Sequence, residues 1–375
     1  LRTLWAVVAT FMLVNSSLPL PLSATVSNGP SLSSVDLGTV PRGVAVDSGL
    51  RSIYAVLYLN GTTLALDQET LSTVARISTP SPYAIAVDPS TGRVYVSQGE
   101  GGSIAVIDGS TNSRVATVTG AGTPYALAVD ETDNLVFCAD TAENSLWIVN
   151  GSTSLVAARV PMGDTSALAV DPAVHEAFVG NLSSDLKSGT IDVVNTTGMR
   201  VIRTVPIPIP PGHFAADPAS HLLFVTSAGA PGSGANFLAV DDRTFQTVYS
   251  ERLGYSPDVM AVDSSSDVYV SDVGVNRLYE VDGATGQVLL NSTGDSSGVS
   301  FTGITSMAFD PQSGRLFITE SDLTSLLILT TGSAPTSPDY LLYLVLAVPA
   351  IASAAAGILG ILYLRRQRSA RPTSL

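Results

Sequence analysis

Five side chains of mixed chemistry recur at one place in a repeating phrase. The phrase runs apolar-Ala-apolar-Asp, a turn, then apolar-aromatic-apolar, and its marker acids are Asp47, Asp88, Asp130, Asp171, Asp217, Asp263 and Asp310. Five residues before each marker stand Arg42, Tyr83, Tyr125, Ser166, Gly212, Asp258 and Thr305, with His213 beside Gly212. A guanidinium, two phenols, an imidazole and a carboxylate in one place make a pocket with polar handles on an aromatic wall. Arg42, Tyr83, Tyr125, His213 and Asp258 are therefore the candidate ligand-binding residues, provided the fold brings them together. The competing reading of the same positions is a solvated rim with no ligand.

Catalytic sets are missing. There is no Gly-x-Ser-x-Gly, no His-Glu-x-x-His and no phosphate-binding glycine loop. A single Cys, Cys138, excludes an internal disulfide, and three His (His175, His213, His221) leave little material for zinc. The marker acids read as turn caps, each carboxylate accepting backbone N–H groups. A second set, Glu100, Asp140, Glu143, Asp185, Asp272, Glu320 and Asp322, predicts an acidic rim open to Ca²⁺ or to a basic partner. No Asp-x-Asp-x-Asp-Gly loop supports a dedicated calcium site, so no cofactor and no catalytic residue are assigned. The net charge of −14 and the pI of 4.4 argue against a nucleic-acid partner.

The elements that must position these residues follow from the period. The markers are spaced by 41, 42, 41, 46, 46 and 47 residues, the length of a propeller blade of four short strands. In the second unit the strands read 83–88, 93–97, 103–108 and 114–119. Asp108-Gly109, Asn150-Gly151 and Asp282-Gly283 read as hairpin turns in which glycine supplies a positive φ. The last unit ends after its third strand, while 33–37 forms a spare strand ahead of the first. That strand closes the ring and removes an open sheet edge. The expected architecture is all-β: a seven-bladed β-propeller over 33–332, closed by an N-terminal strand, with seven strand mouths converging on a central funnel. Cys138 falls at the position of Val96 and is expected to be a buried thiol.

The phrases VYVS, LFVT and LFIT after AVDP-type turns resemble the YVTN repeats of archaeal and bacterial surface-layer-like proteins, although the tetrapeptide YVTN does not occur. The resemblance implies a seven-bladed propeller at the cell surface. It also implies kinship with propellers that hold a metal in the central channel, the lactonases and lyases. One Asp and one His at that depth are a thin set for such chemistry.

The ends carry an address. Residues 1–24 have a positive start, a short apolar core and small residues, and are expected to be a signal peptide. Residues 340–364 contain no charge over 25 residues and are followed by Arg365, Arg366, Arg368 and Arg371. A transmembrane helix is expected there, after a linker at 333–339, with 365–375 as a cytoplasmic basic tail. Asn60, Asn150, Asn181, Asn195 and Asn291 begin Asn-x-Ser/Thr and are N-glycosylation candidates in an extracellular body. The expected function is a non-enzymatic binding or cell-envelope module, anchored by that helix, with a protein or glycan partner. The alternative is an exported hydrolase or lyase working in the funnel.

Overall fold

Each repeat becomes one four-stranded antiparallel sheet, and seven such sheets close into a ring. The structure, a computed structural model, describes residues 30–331 apart from 121, 228–233, 295–300 and the Ser166 side chain. The expected signal peptide, linker, transmembrane helix and basic tail lie outside the described residues. Among the described residues no helix is long and apolar enough to cross a membrane.

Blade 2 shows the rule. Its strands are Pro82–Asp88, Arg93–Gln98, Ser103–Asp108 and Ser113–Thr119, paired in sequence order. The two middle strands, RVYVSQ and SIAVID, are buried almost throughout. They read as continuous apolar runs because a neighbouring blade covers each face. The outer strand, SRVATVT, is mostly exposed. Seven buried clusters fill the seven interfaces between neighbouring blades. One of them joins Tyr54, Val56, Ala65 and Ile77 of blade 1 to Val94, Val96, Ala105 and Ile107 of blade 2. Cys138 is fully buried in the next interface against Trp147, and burial pushes its thiol well above the ordinary range.

The ring is closed by exchange between its ends. Blade 7 is built from Ile304–Asp310, Arg315–Glu320 and Ser325–Thr330, with Ser31–Asp36 as its outer strand. The pairing runs from Ser31 opposite Thr330 to Asp36 opposite Ser325. The closing strand thus starts two residues earlier than the sequence suggests. Leu37 then enters the core between blades 7 and 1. The first strands of all seven blades touch in order around the axis, and that of blade 7 meets that of blade 1.

All seven marker acids cap the turn that follows them. Asp47 accepts the N–H of Leu50, Asp88 that of Ser90, and Asp130 those of Thr132 and Asp133. Asp171, Asp217, Asp263 and Asp310 repeat the contact with Ala173, Ala219, Ser265 and Gln312. In blades 1 to 6 a second acid or amide caps the outer hairpin, as Asp108 does for Ser110 and Asp241 for Thr244. Much of the negative charge is therefore turn chemistry.

The hairpin glycines serve another purpose than a positive φ. Gly109, Gly151 and Gly283 do not take a positive φ; in those hairpins Asn112, Ser154 and Gly286 do. Glycine is required for close approach instead. A Cβ at Gly109 would stand 2.7 Å from both the Gly92 carbonyl and the Tyr54 hydroxyl of blade 1.

Candidate functional site

The funnel residues sit where the innermost strands begin. In five blades the first strand carries a register shift at that point, between Pro82 and Ile85, Pro124 and Ala126, Thr165 and Ala167, Pro257 and Met260, and Ile304 and Ser306. A bulge re-aims the side chains it contains. Here it lies on Tyr83, Tyr125, Asp258 and Thr305. The backbone groups it frees are met by hydroxyls of the second strand. Ser97 accepts the Ala84 N–H at 2.9 Å, and buried Thr226 of blade 5 donates to the Asp258 carbonyl of blade 6 at 2.7 Å; in blade 5 itself, which has no shift, Thr226 also accepts from the His213 N–H.

Arg42, Tyr83, Tyr125, His213 and Asp258 all line one axial cavity of about 540 Å³. The convergence expected from the repeat is therefore present for all five, and each is half-buried. Thr305 joins them; Gly212 does not line the cavity.

The five are arranged as two groups. On one side the Arg42 guanidinium carbon lies 3.6 Å from the centre of the Tyr83 ring, whose own centre is 4.8 Å from that of Tyr125. The same guanidinium carbon lies 5.5 Å from the centre of the Tyr58 ring. The rings present their negative faces to the cation. Burial, with Tyr83 beside it, pushes the Tyr125 phenol up to about 12, so it stays a neutral donor at physiological pH. Across the funnel, His213 Nδ1 is 2.7 Å from Asp258 Oδ1, a close imidazole–carboxylate contact that lies off the line of a hydrogen bond. The floor between the groups is apolar, from Ile85, Leu127, Leu168 and Met307. The cavity therefore offers a cation, phenol donors and an imidazole–carboxylate pair around a greasy floor.

Tyr58 and Ser306 are the residues that the repeat did not single out. Tyr58 belongs to a short 3-10 turn, Tyr58–Asn60, in the loop after the second strand of blade 1. Ser306 lies one residue inside the series and accepts the Val44 N–H.

The acidic rim is smaller than the sequence suggests. Asp140, Asp272 and Glu320 are buried, not solvent-facing. Asp140 accepts from Gly122 and Thr123, Asp272 from Ser256 and Gly274, and Glu320 from Thr302. They hold loops to the top of the blades, which their burial and donors require. Glu100, Glu143, Asp185 and Asp322 remain exposed. Among the glycosylation candidates Asn60 and Asn291 are exposed and Asn150 and Asn195 half-buried. Asn181 is buried, with its amide nitrogen donating to Asp192 at 2.9 Å.

No family model matches the chain, and no curated protein matches it in sequence. Solved structures do match in shape. Hydrazine synthase of Kuenenia stuttgartiensis aligns with TM-score 0.67 at 12% identity, covering 78% of this chain and 95% of that one. The Cps50 (Swd1) β-propeller domain of Myceliophteria thermophila aligns with TM-score 0.66 at 10% identity, covering 80% and 99%. At such identities the likeness is one of fold: the chain is a seven-bladed β-propeller.

Proposed function

We propose that this chain is a non-enzymatic binding module of the cell surface, in the manner of the YVTN-type propellers its repeats resemble. Its ligand enters the axial funnel. The observation that carries the reading is the gathering of Arg42, Tyr83, Tyr125, His213 and Asp258 in one cavity. The tyrosine faces suit the flat apolar side of a sugar ring, and the Arg, His and Asp suit its hydroxyls or an acidic substituent. The partner class is therefore a glycan or a protein segment displaying like groups.

The membrane anchor expected at 340–364 fits the same picture. The described chain enters at Ser31 and leaves at Thr330, which lie opposite each other in blade 7. Thr331 donates to the Gly314 carbonyl in a marker turn, on the face away from Arg42.

The test is a glycan array and a surface-protein pull-down with the wild-type chain and with Tyr83→Ala. Binding that Tyr83→Ala abolishes supports the reading; binding indifferent to Tyr83→Ala and Arg42→Ala removes it. The His213–Asp258 pair favours one alternative, an exported hydrolase or lyase with His213 as general base. Turnover of lactones or esters, lost in His213→Gln, would select that alternative.

A further inference from the structure

In blades 1, 2, 4 and 5 the residue that follows the third strand meets the blade before it: Gln68, Gly109, Thr196 and Asp242. The register is shared. The N–H groups of Gln68, Gly109, Thr196 and Asp242 donate to the carbonyls of Arg51, Gly92, His175 and His221. What differs is the side chain. Gln68 donates its amide to Asp310 of blade 7, and Thr196 donates its hydroxyl to Asp133 of blade 3 at 2.6 Å. Asp242 instead sets a carboxylate beside Asp171, the marker acid of blade 4.

Both acids are buried, Asp171 at 0% and Asp242 at 1% exposure. Among the described residues no donor group reaches either Asp242 oxygen, Asp171 Oδ2 or His221 Nδ1, and the Asp242 carboxyl lies against that of Asp171. Buried polar atoms are ordinarily paired, and an uncompensated pair of buried acids is costly. His221 Nδ1 is 3.7 Å from Asp242 Oδ1, and one donor atom from each of Asp171, His221 and Asp242 lies within 4.8 Å of the others. A cavity of about 330 Å³ opens at Asp242, lined also by Glu176, Arg203, Arg243 and Phe245.

We propose that Asp171, His221 and Asp242 form a metal site between blades 4 and 5 that takes one divalent cation of the zinc class. One imidazole nitrogen with two carboxylates is a borderline set that suits such a cation better than Ca²⁺, which prefers oxygen alone. Three protein ligands leave a position for water, and the adjoining cavity provides the way in. Each side chain supplies one ligand from among its unpartnered atoms, so the cation compensates both carboxylates and the imidazole at once.

Arg243 competes for the site. Its guanidinium rests on His221 Nε2. A guanidinium only donates, so in the free protein Nε2 accepts and the imidazole proton sits on Nδ1. Cation binding at Nδ1 moves that proton to Nε2, and exposed Arg243 swings into solvent. At the neighbouring interface Asp130, Asp133 and His175 also cluster. There Asp133 is already engaged by Thr196 and, at 3.0 Å, by His175, and the site lies in the open. It serves as an internal control.

The experiment uses the full-length chain stripped of metal. Zinc is titrated calorimetrically, and Co²⁺ is followed by its visible absorption. The expected result is one Zn²⁺ per chain and a Co²⁺ band. Asp242→Asn and His221→Asn each weaken zinc at least about tenfold, Arg243→Ala tightens it, and His175→Asn leaves it unchanged. Absence of stoichiometric zinc overturns the proposal. Zinc bound by both Asp242→Asn and His221→Asn as tightly as by the wild type overturns it equally.

Discussion

The Arg42 guanidinium of blade 1 lies 3.6 Å over the ring of Tyr83 in blade 2. The contact crosses a blade interface and sets the geometry of one wall of the funnel. A half-exposed cation–π pair contributes only about 0.5–1 kcal/mol. Arg42→Ala should therefore shift the denaturation midpoint by no more than that, while removing ligand binding. A loss of several kcal/mol would assign Arg42 to the scaffold instead.

The closing strand should matter far more. Deleting 31–36 leaves the edge of Ser325–Thr330 unpaired and exposes the apolar groups that Leu32 and Val35 cover. Lower melting temperature and aggregation by light scattering are expected. Leu37→Ala is the milder version: a buried leucine truncated to alanine costs about 2–5 kcal/mol. An unchanged melt in both variants would mean that the ring does not depend on its zipper.

Gly109→Ala separates two reasons for a glycine. If conformational freedom mattered, alanine would be harmless, because φ there is not positive. The structure places the new methyl 2.7 Å from the Gly92 carbonyl and the Tyr54 hydroxyl. A destabilisation of about 1–3 kcal/mol is expected in urea. Gly38→Ala is the converse, with φ +79 and nothing within 4 Å of the new atom. Its cost should be backbone strain alone.

Asp267 supplies a pH dependence. Burial first, then Asp263 and Glu280 nearby, raise its carboxyl from 3.8 to about 6. Between these values the folded chain holds a proton that the unfolded chain releases. Stability therefore falls as pH rises from about 4 to about 6. Solvent screening at this partly exposed group limits the effect to about 2 kcal/mol or less. Asp267→Asn should flatten that slope and raise stability at pH 7. Parallel pH profiles for variant and wild type would refute it.

The sequence by itself determined the number of blades, the course of the strands, the zipper and the turn-capping role of the marker acids. It also placed Arg42, Tyr83, Tyr125, His213 and Asp258 at one level of the ring. All of these follow from local rules: a period near forty, apolar strand runs and Asx turns reach only to the next strand, and repetition does the rest. The tertiary structure alone decided what crosses between blades. It set Tyr58 beside Arg42, gave Gly109 its reason, buried Asp140, Asp272 and Glu320, and brought Asp242 against Asp171. Those contacts depend on how two twisted sheets meet once the ring closes, and that distance has no period in the chain.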